Sequence, residues 1–439
     1  MKFLKWIFSV AAFAAAIQAT NAGDDRLGFD CHFDHQGGSP NWNPDLVMPM
    51  IAKQGAGAYI RDEINWGLAE TSPGVYSMPD PKQHWLDEAS ANGLKVVACI
   101  GENPPAFYSN PWNPATPAAN FCAWLAKTEG PKIAAIEVIN EPNNAFASQV
   151  GANWKSTLST LTNAIADAVH ASSPGTLVIG LGGQGQQVLD MLKMGTHADG
   201  VVYHPYDKGD SIPEHTYEPP YTDYQTWVAA VRAATNLPIW ETECAISSGG
   251  NNGEYHSAIW DARRLTLAAA LGVQHTFLYD YCDPDIAQTV LDYWQAPRQR
   301  YFVEQRLYSL IGGMTPTGRA VMVNSSDSNY SRDNFKGFVF ANQDNSSACA
   351  IVWEGNQMLS GPIGASENPI VIATLTVPNS AAVSSVVATD IISGKSWQPA
   401  WSRSGDNIVI QGANISSGPI AYAMMGGGPT PAPTSTPSP

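Results

Sequence analysis

Two apolar runs in this chain end in carboxyl groups. Ile136, Glu137, Val138 and Ile139 lead straight into Asn140-Glu141-Pro142-Asn143, and Pro142 brings no N–H with which to continue a ladder. Leu237-Pro238-Ile239-Trp240-Glu241-Thr242-Glu243 closes in the same manner. A carboxyl whose pKa is raised by apolar surroundings and a nearby anion can protonate a leaving oxygen. A second carboxyl, kept ionised, can attack the carbon that this oxygen leaves. Together they are the minimum equipment for breaking a glycosidic bond.

Glu141 suits the acid role, and Asn140 beside it offers an amide donor and acceptor for a sugar hydroxyl. Taken alone, an Asn-Glu-Pro run also caps helices, which is the plainer alternative. Glu241 and Glu243 are two positions apart, so on a regular strand both point to the same side. Glu243 lies nearer the strand end and is expected to be the nucleophile. Glu241, one layer deeper, is expected to hydrogen-bond a neighbour. Arg61 closes another apolar run and supplies a fixed guanidinium to hold the nucleophile ionised. His204-Pro205-Tyr206 closes a further run and adds a ring nitrogen and a phenol. Trp66, Trp112, Tyr279 and Tyr281 also follow apolar runs and can stack on sugar faces, although most of the 14 Trp residues have packing to do.

The elements that must position these groups alternate between apolar strand and amphipathic helix from Leu27 to about Ile311. Expected strands are Leu27–Phe33, Ala58–Asp62, Leu94–Ile100, Ile133–Asn140, Thr176–Leu181, Gly200–His204, Pro238–Glu243 and His275–Asp280. Between them Trp154, Leu158, Leu161, Ile165 and Val169 form one stripe at three- and four-residue steps. Leu46, Val47, Met50 and Ile51 form another. Gly55, Gly93, Gly175 and Gly272 mark helix ends shortly before strands. Eight such units predict an α/β fold, a (β/α)8 TIM barrel. After Pro316 the helical period stops. Short strand-like runs such as Gly337–Ala341, Ala348–Trp353, Ile370–Val377 and Ile408–Gln411 alternate with turns and predict a small antiparallel β-sandwich. The expected organisation is a signal peptide over 1–22, the catalytic barrel over 23–314, the sandwich over 315–425 and a Gly/Pro/Thr/Ser linker over 426–439. Such a linker suggests a further module beyond it.

Composition narrows the partners. Among 439 residues Asp plus Glu outnumber Lys plus Arg by 39 to 23, and no basic run occurs, so nucleic acid and anionic membranes are excluded as partners. A neutral substrate fits. Lys2 and Lys5 precede an apolar run from Trp6 to Ile17, with small residues at Thr20 and Ala22. This reads as a secretory signal cleaved after Ala22, giving an extracellular protein with no membrane attachment after cleavage. The run is shorter than the roughly 20 residues that a spanning helix needs. The six cysteines are scattered, with no zinc-ligand spacing, and no cofactor or metal is implied. Cys244 and Cys282, just beyond neighbouring strands, are the first candidate disulfide, with buried thiols the alternative.

The run from Ile136 to Asn143 resembles the acid/base strand of the clan A glycoside hydrolases, a retaining (β/α)8 group sharing Asn-Glu on its fourth strand. Ile239 to Glu243 resembles that clan's nucleophile strand. Tyr203-His204-Pro205-Tyr206 is similar to its sixth, and Ile60-Arg61-Asp62-Glu63 with Trp66 and Glu70 to its second. Within the clan the chain looks closest to families 5 and 39, and the trailing sandwich tilts toward family 39. Many family 5 members carry Trp on the eighth strand, where this chain reads Phe277-Leu278-Tyr279-Asp280-Tyr281; Tyr279 is the substitute. The resemblance implies a double displacement with Glu243 as nucleophile and Glu141 as acid/base, their carboxyl groups about 5–5.5 Å apart. It implies Asn140, Arg61, His204, Tyr206, Trp66 and Tyr279 as substrate-binding residues. An endo-β-glycanase acting on a polysaccharide substrate (glucan, xylan or mannan) is the first reading. An exo-acting β-xylosidase-like enzyme and a non-catalytic carbohydrate-binding pseudo-glycosidase are the alternatives. The sugar and linkage stay open.

Overall fold

Eight parallel strands close on themselves in the computed structural model of the chain, which describes residues 23–33, 43–101, 103–207, 209–246, 253–282, 289–292, 294–344, 346–356, 370–379 and 383–426. The expected signal segment and all but the first residue of the linker lie outside the described residues. No helix among the described residues is long and apolar enough to cross a membrane.

The barrel strands are β1 (Asp24–Asp30), β2 (Gly57–Glu63), β3 (Lys95–Cys99), β4 (Ile133–Glu137), β5 (Leu177–Gly180), β6 (Gly200–Tyr203), β7 (Ile239–Cys244) and β8 (His275–Leu278). Each pairs in parallel with its neighbours in chain order, and β8 returns to β1. All eight expected strands are present. The main helices between and after them are α1 (Pro44–Gln54), α2 (Asp80–Ala91), α3 (Thr116–Glu129), α4 (Trp154–Ser172), α5 (Gln186–Leu192), α6 (Tyr224–Ala234), α7 (Glu254–Ala270) and α8 (Gln299–Ile311). In α4 the predicted stripe is the buried face: Leu158, Leu161, Ile165 and Val169 are inaccessible to solvent. In α1 the inward set is Pro44, Val47, Met48, Ile51 and Gln54. Leu46 is exposed there, because the 3.6-residue period counted from Pro44 reaches 47, 48 and 51.

Inside the barrel the two-residue period of each strand stacks side chains in layers. Tyr59, Val97, Ala135, Ile179, Val202, Trp240 and Phe277 fill an apolar floor. Gly28 is required beside it, since a Cβ there would lie 2.4 Å from the Phe277 ring. Two residues further along each strand come Asp30, Arg61, Cys99, Glu137, His204 and Thr242. The floor is hydrophobic and the layer above it is ionisable.

The sandwich holds two antiparallel sheets. Its strands are β9 (Thr315–Gly318), β10 (Val321–Ser325), β11 (Phe335–Ala341), β12 (Ser347–Glu354), β13 (Val371–Pro378), β14 (Val383–Asp390), β15 (Ser396–Trp397), β16 (Ala400–Ser404), β17 (Asn407–Ile415) and β18 (Ile420–Gly426). One sheet runs β9-β11-β12-β18-β14-β15 and the other β10-β13-β17-β16. Val339, Val352, Leu375, Val377, Ile410 and Tyr422 belong to the core that they enclose. The chain divides into two compact units, Met1–Asp261 with Val273–Gln305 and Ala262–Gly272 with Arg306–Pro439.

All six cysteines are described, and none forms a disulfide. The candidate Cys244–Cys282 bond is therefore corrected in favour of its alternative, buried thiols. Cys244 is in register with Leu278, four residues before Cys282, so the two thiols do not face each other.

Candidate active site

Arg61 is the hub of the ionisable layer. It sits on β2, inward by parity with Tyr59, and every one of its five N–H donors is used. Nε and Nη2 grip Glu137 at 2.6 and 3.0 Å. Nη1 reaches Asp30 and Glu243, each at 3.0 Å, and Nη2 reaches the Asn140 amide oxygen at 2.8 Å. One planar cation thus fixes groups from β1, β4 and β7 and from the segment that follows β4. Surrounding anions push the guanidinium pKa further up against the opposing effect of burial, so it stays charged.

Glu243 accepts this bond and a second from the Tyr206 hydroxyl at 2.9 Å. Burial alone would raise its pKa, but His204, Arg61 and Tyr206 outweigh that, and the carboxyl is held below the ordinary value. Asp30 goes the other way. Burial, with Glu243 and Asp62 nearby, lifts it well above the usual range in spite of Arg61. Of these two carboxyls, Glu243 is the one held ionised.

The route by which Glu243 reaches this position differs from the expected one. Trp240 belongs to the barrel floor and Thr242 to the layer above it, so the even-numbered residues of β7 point inward. Glu241 points outward, where the hydroxyls of Tyr203 (2.5 Å) and of Tyr224 on α6 donate to it. The expectation that Glu241 and Glu243 share the interior is thus corrected. Between Glu241 and Cys244 the pairing slips: Glu241 faces Thr276 and Cys244 faces Leu278, three steps against two. This bulge carries one extra residue and returns Glu243 to the interior beside Thr242.

At β4 the expected strand to Asn140 ends at Glu137. Ile139 and Glu141 take φ values of +62° and +37°, a region that costs a β-branched residue energy and occurs where surroundings over-determine the chain. That turn brings Asn140 to Arg61 and presents Glu141 at the barrel mouth, its side chain 37 % exposed. Asn144 Nδ2 donates to Glu141 at 2.7 Å, and His204 Nδ1 lies 3.1 Å from its other oxygen.

The tautomer of His204 follows from its neighbours. The Thr242 hydroxyl donates its single hydrogen to Glu137 at 3.2 Å, so it must accept from His204 Nε2, 3.1 Å away. Nε2 is then protonated, and Nδ1 shares a proton with Glu141. Burial disfavours the imidazolium, but Glu243 and Glu141 reverse this and raise the His204 pKa.

No family model matches the chain, and no curated protein matches it. Solved structures do. A family 39 glycoside hydrolase from the gut symbiont Bacteroides cellulosilyticus WH2 superposes with a TM-score of 0.64 at 17% identity, over 91% of this chain and 81% of the other. A glucosidase from Croceicoccus marinus gives 0.58 at 12% identity, covering 93% and 97%. CelM2, a bifunctional glucanase-xylanase protein from a metagenome library, gives 0.56 at 11%, covering 92% and 97%. The chain shares the fold of these solved glycoside hydrolases, an eight-stranded parallel barrel with an antiparallel sandwich after it.

On this shared fold most of the expected site residues converge. Arg61, Asn140, Glu141, Tyr206, Glu243 and Tyr279 all border one cavity of about 450 Å³, and His204 borders a second one that shares Glu141. Trp66 does not join them. It is 1% exposed, its Nε1 donates to Glu70 at 2.6 Å, and it packs on Phe121 and Trp112, so no sugar reaches its face. Trp112 is likewise buried, its Nε1 donating to Gln149, and Tyr281 is buried against Phe29. Their apolar rings are more stable in the core than beside a polar cleft. Asp30, Glu137, Thr242 and His32 belong to the site and were not singled out from the sequence. The signal that could have found the first two is parity, since Asp30 follows Gly28 and Glu137 follows Ala135 on the same strand face. A donor atom from each of Glu141, His204 and Glu243 lies within 4.8 Å of the other two, so a divalent cation could bridge them.

Proposed function

We propose that this chain is a retaining β-glycoside hydrolase, with Glu243 as nucleophile and Glu141 as acid/base, acting as an endo-β-glycanase on a neutral polysaccharide. The observation that carries the reading is the closeness of the two carboxylates. An oxygen of each lies within 4.8 Å of an oxygen of the other, in keeping with the close carboxyl pair of a retaining enzyme, about 5–5.5 Å apart.

In the first step a Glu243 oxygen bonds to the anomeric carbon as the bond to the leaving oxygen breaks. Glu141 passes its proton to that oxygen. The carboxylate left on Glu141 is met by His204 Nδ1 and Asn144 Nδ2. In the second step water gives a proton back to Glu141 and adds to the anomeric carbon, and Glu243 departs. Arg61 and Tyr206 hold Glu243 in one place throughout, so little reorganisation is needed as its charge is consumed. Glucan, xylan and mannan are the substrate classes, by analogy with neighbours described as a glucosidase, a glucanase-xylanase and an exo-β-1,4-mannosidase. Export through the segment before Gly23 belongs to the same proposal, since a polymer is met outside the cell.

The test is incubation of the purified protein with β-glucans, xylans and mannans, reading both the product sizes and the first-formed anomer by proton NMR. Mixed oligosaccharides from one polymer, with the β-anomer first, are expected. The α-anomer first would defeat retention. Monomer released only from short glycosides would replace endo with exo action.

A further inference from the structure

Glu141 borders two cavities of different character. The larger, about 450 Å³, also holds Glu243, Arg61 and Asn140, so it receives the sugar whose anomeric carbon is attacked. The smaller, about 190 Å³, contains Glu141, His204 and Tyr206 without Glu243. On the proposed roles the proton of Glu141 goes to the leaving oxygen, and the smaller cavity, which Glu243 does not border, is the place for the group attached to that oxygen. Its volume is below the roughly 300–1,000 Å³ of drug-sized sites, which leaves room for one ring.

The walls of this cavity suit a sugar ring. Gly182 and Gly183 present bare backbone. A Cβ at Gly182 would lie 3.2 Å from the Pro142 ring, and Gly183 has φ +149°. Asn143, Gln184 and Asp207 supply polar side chains. The remaining wall is Tyr217, 58% exposed, on a hairpin of His215–Glu218 and Tyr221–Asp223. Its neighbours Thr216 and Glu218 are fully buried, so alternation turns Tyr217 alone outward. The hairpin is held on both flanks. Tyr217 N donates to Tyr206 O at 2.9 Å, Gly185 N donates to the Glu218 carboxylate, and Gln186 N donates to Pro219 O at 3.2 Å. A rigidly mounted aromatic face is thus left open beside the acid/base carboxyl. Amphipathic rings of this kind stack on flat, partly apolar surfaces while their hydroxyls stay wet.

We propose that this cavity binds the sugar ring of the leaving group, with Tyr217 as its stacking platform. The substrate is then a glycan with saccharide on both sides of the cleaved bond, and not the glycoside of an alkyl or aryl alcohol. The proposal rests on the reading of Glu141 and Glu243 as hydrolytic carboxylates.

The test compares two substrates of Tyr217→Ala and Tyr217→Phe. β-Cellobiosyl, β-xylobiosyl and β-mannobiosyl fluorides place only fluoride on the leaving-group side, whereas the matching tetra- or pentasaccharides place sugars there. In Tyr217→Ala, kcat/KM on the oligosaccharide should fall about ten- to a hundredfold, the change that uncovering one aromatic face brings. On the fluoride it should stay at the parent value. Tyr217→Phe should keep both. Unchanged oligosaccharide turnover in Tyr217→Ala, or an equal loss on both substrates, would overturn the platform and leave the hydrolase reading standing. No turnover of any fluoride by the parent chain would overturn the hydrolase reading and the sugar site with it.

Discussion

The two strand ends proposed to carry the chemistry solve the same placement problem by opposite means. After β4 the chain leaves the sheet through residues of positive φ and delivers Glu141 half into solvent, touched by Asn144 and His204. At β7 the chain stays in the sheet, takes up one extra residue as a bulge, and delivers Glu243 into a nearly closed, fully bonded position. The difference fits the work proposed for each group. An acid/base must lose and regain a proton and so keeps contact with water and a titratable neighbour. A nucleophile must remain ionised and aimed, so it is buried against a permanent cation.

The strongest way to break this comparison is to remove each carboxylate in turn. Glu243→Ala should lose on the order of 10⁴-fold or more in kcat on every substrate, with azide restoring part of it as the α-glycosyl azide. Glu141→Ala should lose as much on oligosaccharides but keep most of its first-step rate on glycosyl fluorides, whose leaving group needs no proton. Equal losses on fluorides in both variants would erase the distinction in roles.

A smaller effect sharpens the claim about the permanent cation. Arg61→Lys keeps one charge but not the five-donor fork, and kcat should fall on the order of 10²–10³. The pH profile carries the diagnostic. Glu243 works as a carboxylate and its pKa is lowered partly by Arg61, so the parent stays active to below the usual carboxylate range and fails only as pH falls through that lowered value. In Arg61→Lys the acidic limb of kcat/KM should move to higher pH. A limb that stays in place would mean that the donor fork, beyond the charge that Lys retains, does not keep Glu243 ionised.

The smallest effect concerns the residue that shares a strand with the nucleophile but not its side of the sheet. Glu241→Gln should lower stability by roughly 1–3 kcal/mol in urea unfolding, because the Tyr203 and Tyr224 hydroxyls lose a charged acceptor. Its kcat/KM should stay at the parent value. A large loss of kcat at constant stability would return Glu241 to the catalytic cleft.

The contrast between the strand ends also separates what was legible in the sequence from what was not. The eight strands and the apolar stripe of α4 were readable because a period of two or 3.6 is written directly in residue order. Glu141, Glu243, Arg61, Asn140, His204 and Tyr206 were readable because ionisable or polar groups stand at the ends of apolar runs. Which side of β7 faces inward was not, since the bulge depends on how β7 registers against β8, 35 residues further on at Glu241. Trp66 was misplaced for a related reason. It follows a strand as a platform would, yet Glu70, Tyr108 and Phe121 gather around it only once the barrel exists. Glu137 escaped notice because the two carboxylates that drew attention stand after it.

The five bonds of Arg61 also bear on how the molecule comes to be active. Its partners lie 31, 76, 79 and 182 residues away along the chain. Contacts of such separation form late, because the closure entropy of long loops must be met before they contribute. Until β7 docks, Arg61 has no nucleophile to hold and Glu243 has no cation beside it. On the proposed roles, catalytic competence is therefore a property of barrel closure itself, and the site is incomplete until the seventh strand has emerged and found the second.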